Sequence, residues 1–593
     1  MKGWEGSMYN THKVSIIIIS LAIIISNYSI IMSDPIGEVL IGGNTWCEMQ
    51  WGHSNVDDMI VLDTLDNTIH IVWTYAPPPP YELFRISYYN SYNPQEGWFA
   101  HEPGYDMFPG FTGQINHTIM LANDIGGRDG LEIGLHRQGF SKHRVWWADE
   151  HFVWEELDSL LPLEYTVRTA SGRNGIVQMV GFVGGPLPEN YLLLYYGKYN
   201  VDPYGFMGWY PIDTLTHITY SIATSPVTNR VAFSYLRQKN FEGHPNSFST
   251  DQDVYFLHSP DGFQWDWDNK IDITHFSIED NFRPFFDNDI IIDYSDQIHI
   301  AFTTVETRIV PDFPESTYVN PFMSFIWHWS EETDSFSVAA YGWETEYFSL
   351  GVWKTPVDRP QLAINPNNDY LYLLYERHSP DDISVSDYPN TDLWISVSVD
   401  NGLNWSVGTN ITDTQTPDCL PGFCQSEIQA SINEIVNDTL HIVYMLDKDA
   451  GILSMNEGGL LESKVVYQKI PVALIPIEPL LTQFSIRDYP PTGIVDFPPE
   501  DLPSKSYLLQ NYPNPFNTST KIEYSISGNA DSDISIAIEI YNLKGQKIDE
   551  ISIPREILQG SILWDASEFS SGIYFARLGG VQSSNVVKLV LMK

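Results

Sequence analysis

One pattern of apolar and polar positions recurs along the chain: a polar turn, then five or so apolar or aromatic residues without strict polar alternation. It is plainest at residues 438–444 (DTLHIVY), 67–73 (NTIHIVW), 296–302 (DQIHIAF) and 369–375 (DYLYLLY), with fainter copies at 130–135, 175–180 and 230–235. A run that does not alternate belongs to a strand covered on both faces. With Ile69, Leu131, Ile176, Val231, Ile298, Leu371 and Leu440 as anchors, the steps are 62, 45, 55, 67, 73 and 69 residues. Steps of this size, each holding several short strands, suit the blades of a β-propeller better than a solenoid, whose repeats run about 20 to 47 residues.

Each returning strand is followed by a second one that ends in a turn and often an aromatic, as in 84–98, 253–265, 324–336 and 391–405. This second series also counts seven. The expected fold is therefore all-β: a seven-bladed β-propeller over 43–468, with six or eight blades left open by the faint copies. No long stretch has helical periodicity, and aromatics at 14% against 18% charged residues favour strand formers. At 593 residues the chain is too long for a single core.

Two of the turns are more specific. Ser398, Asp400, Gly402 and Trp405 fit S-x-D-x-G-x-x-W, and Ser259, Asp261, Gly262 and Trp265 fit the same pattern with one residue fewer. The Asp side chain can accept turn amide hydrogens, the Gly can take positive φ, and the Trp can pack beneath the hairpin. These turns resemble the Asp-boxes, or bacterial neuraminidase repeats, of sialidase-like propellers. In that family the box is a structural clasp away from the catalytic centre, so the resemblance speaks to fold.

In a propeller the innermost strands start around one channel mouth. Stepping back about six residues from each returning turn gives Asp57, His117, Tyr165, His217, Asp287, Arg359 and Glu427 as mouth residues. All are polar or titratable, a set able to bind a polar sugar or to supply an acid and base. The family resemblance implies, for sialidase chemistry, an arginine cluster to which Arg359 and then Arg283 are the nearest candidates. His70, His299 and His441 fall at matching strand positions, one per blade, and read as core residues too far apart to share an ion.

With 76 acidic and 31 basic residues the formal charge is −45, which repels phosphate backbones and anionic lipids and excludes nucleic acid as a partner. Calcium would suit such an acid surplus, but no EF-hand spacing supports it, and no metal or other cofactor is expected. Three cysteines are too few for a disulfide framework, although Cys419 and Cys424 could close a small loop and leave Cys47 over.

At the N-terminus, Lys2 and Lys13 precede an apolar run over 14–25, then a polar-interrupted stretch to Ser33, which reads as a signal peptide over 1–33. No other segment could span a membrane. Eight prolines between Pro471 and Pro503 read as a semi-rigid linker over 469–506. After it come Asn511, Tyr512, Pro513, Asn514, Pro515, Phe516 and Asn517, later Gly572 and Tyr574, and a closing apolar strand to Lys593. Alternating strands broken by Asn-Pro and Gly turns make a small Ig-like β-sandwich over 507–593.

This tail resembles the C-terminal sorting domain of proteins exported by the bacterial type IX secretion system, and is similar to the Ig-like domain of the flagellar hook-capping protein. The resemblance implies the type IX machinery as a partner and a secreted or surface location on a Gram-negative bacterium. The expected function is binding of a glycan or protein ligand, and the alternative is a secreted sialidase-like glycoside hydrolase.

Overall fold

In the computed structural model the described residues lie within 35–487 and 507–593. Outside the description are 1–34, 48–49, 51–57, 64–66, 80–85, 101–104, 107–118, 125–126, 139–141, 149–153, 162–166, 174–175, 185–191, 201–204, 239–251, 278–279, 311–312, 344–349, 352–353, 452–456, 488–506, 513–515, 526–536, 543–546, 554–558 and 580–585. In some strands, 119–148 among them, only the backbone is described. The region expected to be a signal peptide therefore lies outside the described residues. The chain separates into two compact units, 1–490 and 491–593.

The protein is all-β, and among the described residues the only helix is a single 3-10 turn, Val472–Leu474. No described helix is long and apolar enough to cross a membrane. The first unit is built from antiparallel sheets, mostly of four strands in simple succession. Each returning apolar run except Val231–Gln238 lies second from one edge of its sheet, and Thr68–Tyr75 has every residue buried but the last. Cores lie between neighbouring sheets on both faces, which is why these runs do not alternate. One core joins Ile69, Ile71 and Trp73 to Val443, Met445 and Tyr467; another joins Leu374, Ile395 and Val397 to Ile432, Leu440 and Ile442.

Two departures from simple succession shape this unit. The last sheet runs Ser426–Ile432, Thr439–Asp447 and Ser463–Pro471, and its fourth strand is Glu38–Thr45 from the start of the chain, antiparallel to Ser463–Pro471. The other is a seven-stranded sheet in which the 20-residue strand Gly205–Thr224 pairs early with Leu192–Asn200 and late with Val231–Gln238. That strand ends one set of four and begins the next.

The first strands of successive sets lie side by side: Ile60–Asp63, Ile119–Asp124, Val167–Ser171, the end of Gly205–Thr224, Phe282–Ile292, Val357–Ile364 and Ser426–Ile432. The succession returns to its start, because the amides of Met59 and Leu62 donate to Ser431 Oγ and Asn433 Oδ1 at 3.1 and 2.9 Å.

The first part of the proline-rich stretch lies against the sheets of the first unit. The strand Ser463–Pro471 covers its first residues, and residues 472–487 stay on the first unit. Val407 N donates to Pro479 O, Leu481 N to Trp405 O, and Gln483 exchanges two bonds with the Val338 backbone. Leu481 and Ile486 are buried in the same core as Trp327 and Trp405. Proline removes ladder donors but not apolar contacts, so a segment barred from a sheet still docks on one.

The second unit has two sheets. One is Tyr507–Tyr512, Ser519–Ser525 and Gln559–Asp565; the other is Lys547–Ser552, Ala537–Asn542, Gly572–Gly579 and Val586–Leu591. They share one core of Phe516, Ile522, Ile538, Ile540, Trp564, Tyr574, Leu589 and Leu591. Of the expected sorting residues, Phe516 is buried and its ring lies 5.7 Å from that of Trp564, Tyr574 OH donates to Ser570 O at 2.6 Å, and Gly572 opens a strand. Asn517 is exposed, Asn511 and Tyr512 lie on the first strand, and 513–515 fall outside the described residues.

Candidate functional site

Three first strands carry a local break at equivalent places. Phe286, Arg359 and Gln429 have φ of 54°, 53° and 56°, each inside a register shift of its strand pairing. Left-handed backbone at a non-glycine residue is costly and marks sites held by their surroundings. Two of the amides so released are capped from the neighbouring sheet: Arg359 N donates to Asp287 Oδ2 at 3.1 Å, and Gln429 N to Glu376 Oε1 at 2.6 Å.

Around these caps a set of ionisable side chains is buried together. Arg359 pairs with Glu376 Oε2 through Nη1, and the same nitrogen lies 3.8 Å from Asp358 Oδ1. Asp358 Oδ2 accepts from Thr355 N at 2.9 Å and stands 3.4 Å from His378 Nε2. His378 Nδ1 is 2.9 Å from Thr391 Oγ1. Lys354 is buried beside the same acids, and its Nζ makes no hydrogen bond, nor do His378 Nε2 and Asp358 Oδ1.

The electrostatics separate these groups. Burial and the neighbouring Asp358 push the Asp287 carboxyl well above its ordinary range. Burial also opposes ionisation of Asp358, but His378 and Arg359 beside it hold its carboxyl below the usual value. Burial lowers both Lys354 and His378 toward their neutral forms. Arg359, although desolvated, is raised by Glu376 and Asp358 and stays a cation. The cluster thus brings together a carboxyl raised toward its protonated form, one held toward its ionised form, an imidazole and an amine, which is the material of acid–base chemistry. Asp358, Glu376 and His378 are also the described residues whose donor atoms come close enough to hold a metal ion.

Of the seven expected mouth residues, Asp287 and Arg359 meet here. Glu427 does not join them: it is buried in its own pocket, where Thr414 Oγ1 lies 2.7 and 2.8 Å from its two oxygens and burial raises its carboxyl well above the usual range. Asp57, His117 and Tyr165 lie outside the described residues, and His217 sits on Gly205–Thr224 with its side chain outside the description. Lys354, Asp358, Glu376 and His378 are the members that the spacing argument does not reach. Their signal is Glu376 and His378, two ionisable residues two apart directly after the apolar run 369–375.

Arg283 stays on its own segment, donating to the Asp280 and Phe282 carbonyls at 2.7 and 2.8 Å. A second buried arginine, Arg168, reaches Ser221 Oγ at 3.2 Å, with Asp58 and Asp289 oxygens at 3.7 and 3.9 Å. Asp289 Oδ2 accepts from Leu362 N at 2.8 Å, so this group ties several first strands together.

The two patterned turns hold their shape from within. Asp261 Oδ1 accepts from the amides of Phe263 and Gln264, both at 2.8 Å; Asp400 Oδ1 accepts from Asn404 N at 2.9 Å; and Gly262 and Gly402 have φ of 72° and 80°. Ser259 and Ser398 hydroxyls lie 3.3 and 3.0 Å from these aspartates. Trp405 is buried and donates to Ser337 Oγ at 3.1 Å, whereas Trp265 is half-buried and stacks on Trp267 at 4.9 Å. The three matching histidines sit in separate sheets: His70 and His441 bond Tyr89 and Tyr467 hydroxyls at 2.7 Å, and His299 bonds His328 at 2.9 Å. Cys419 and Cys424 form a disulfide, and Cys47, which is buried, is not part of it.

None of the curated proteins matches the chain. Among solved structures it is similar to a polysaccharide lyase described as an ulvan lyase, at 11% identity and a TM-score of 0.40 over 69% of this chain and 96% of that one. It is also similar to a glycoside hydrolase at 9% identity and a TM-score of 0.26, over 54% of this chain and 90% of the other. A third is the GH43_1 enzyme from Xanthomonas citri complexed with xylotriose, at 9% and 0.26, over 61% and 88%. Residues 510–592 match the model of the secretion system C-terminal sorting domain. The C-terminal unit therefore belongs to that family of sorting domains, and it marks the protein for type IX secretion, to the medium or the cell surface.

Proposed function

We propose that the exported body is a seven-bladed β-propeller that binds a glycan at the cluster around Arg359. The count rests on the seven first strands that lie side by side, with Gly205–Thr224 closing one blade and opening the next. Glu38–Thr45 completes the last blade. In this reading 38–471 form the propeller, 472–487 a strap upon it, and 507–593 an Ig-like sandwich that serves export.

The observation that carries the binding role is the pair of buried nitrogens without hydrogen bonds, Lys354 Nζ and His378 Nε2. Leaving such groups unsatisfied costs about 1–3 kcal/mol each, a penalty that a hydroxyl-rich ligand or a bridging water relieves. The test is a glycan array with the full chain and with Lys354→Met. The expected result is at least a tenfold weaker signal for the variant on every glycan the wild type retains. No retained glycan, or equal retention by both chains, would falsify the proposal.

One observation favours a second reading, glycoside hydrolysis. Burial and Asp358 raise the Asp287 carboxyl, while His378 and Arg359 lower that of Asp358, a separation in the sense that glycosidases use between acid and base. Release of reducing sugar from a retained glycan, abolished by Asp287→Asn, would establish it; retention without release would leave binding alone.

A further inference from the structure

We propose that Asp358, Glu376 and His378 form a binding site for one divalent transition-metal ion of the Zn2+ or Mn2+ kind. One donor atom from each lies within 4.8 Å of the others. All three side chains are buried, at 2, 1 and 0% exposure, so the donors face one another away from solvent.

A cluster of buried acids alone would not carry this. The second observation is the histidine. His378 Nδ1 lies 2.9 Å from Thr391 Oγ1; with its N–H donated there, the Nε2 lone pair faces Asp358. Nε2 makes no hydrogen bond. A ligand imidazole fixed through its other nitrogen is the arrangement by which proteins orient metal ligands.

The carboxylates are prepared in the same manner. Asp358 Oδ2 is held by Thr355 N at 2.9 Å, while Oδ1 makes no hydrogen bond. Glu376 Oε1 is held by Gln429 N at 2.6 Å, and Oε2 by Arg359. The charged or titratable groups facing the site are Asp287, Arg359, Lys354 and Glu457. Arg359 is matched by Glu376, and Asp358, Asp287 and Glu457 set three further carboxyls against Lys354, so a bound cation meets more acids than bases. One imidazole with two carboxylates suits Zn2+ or Mn2+, whereas Ca2+ prefers oxygen ligands alone.

The test uses the tag-free full chain, stripped with a chelator and titrated calorimetrically with Zn2+, Mn2+ and Ca2+ in the absence of any glycan. This separates it from the glycan reading. The expected result is one equivalent of Zn2+ or Mn2+ bound more tightly than Ca2+. His378→Gln should weaken that binding at least a hundredfold, and Thr391→Val about tenfold through loss of the orienting bond. Far-UV circular dichroism establishes that each variant is folded, and if His378→Gln does not fold, Thr391→Val alone decides. A stripped wild type that binds no Zn2+ or Mn2+, or binds them no more tightly than the folded variants do, overturns the proposal. Equal affinity for Ca2+ overturns it as well.

Discussion

Glu427 and Arg359 occupy comparable places near the start of adjacent first strands, yet their surroundings are opposite in kind. Glu427 is buried beside Asp392, its carboxyl raised toward the protonated form, and it bonds the Thr414 hydroxyl in the loop that precedes its strand. Arg359 remains a cation, draws on acids from its own and a neighbouring sheet, and stands among nitrogens that nothing hydrogen-bonds. Neutral burial is the lower-cost solution, and it builds structure. An ionised centre surrounded by unmatched donors costs stability, and a fold retains it where chemistry uses it.

The largest effect that would break this contrast is Arg359→Ala. It leaves Glu376 and Asp358 buried without their cation and should destabilise the protein by about 3–5 kcal/mol in denaturant unfolding. Glu427→Gln, which keeps the shape and the neutral state, should change stability by less than about 1 kcal/mol. Equal losses in the two variants would show that both pockets do the same work.

The paired turns give the next test. A Cβ on Gly402 would lie 2.0 Å from His328 at a φ of 80°, whereas one on Gly262 would lie 2.9 Å from the end of the Gln178 side chain at 72°. Gly402→Ala should therefore cost about 2–4 kcal/mol and Gly262→Ala about 1–2, measured by thermal unfolding. A larger loss at Gly262 would contradict the tighter packing of the second turn.

The smallest effect concerns pH. Asp382, another carboxyl satisfied locally by Asn390 at 3.0 Å and Thr416 N at 2.9 Å, is pushed by burial up to about 6. Its folded value lies above its unfolded one, so the stability it contributes is full below about 3.8 and lost as pH rises through about 6. Asp382→Asn should flatten the fall in melting temperature across that window. An unchanged slope would mean that the carboxyl ionises freely in the folded protein.

The strands were legible because burial on both faces writes itself into sequence as unbroken apolar runs. The run 296–302 enters Ile298–Val310, and 438–444 enters Thr439–Asp447. The cluster was half legible. Asp287 and Arg359 follow from counting back along the strands, but Glu376 and His378 look like the polar end of a strand. Nothing local says that the bulges at Phe286 and Arg359 turn neighbouring sheets' side chains toward them. The contacts of residues 472–487 were not legible for a related reason. Proline content reports what a segment cannot donate, and says nothing of the cores that Leu481 and Ile486 enter.

The pairing of Glu38–Thr45 with Ser463–Pro471 has a consequence for the order of assembly. The partner of the earliest described strand is among the last of this unit to be synthesised, so that strand waits through more than four hundred residues of translation. Until then its edge is unmatched and the body cannot lock. The closing sheet is therefore the last part of this unit that the chain can complete, whatever the order in which the others form.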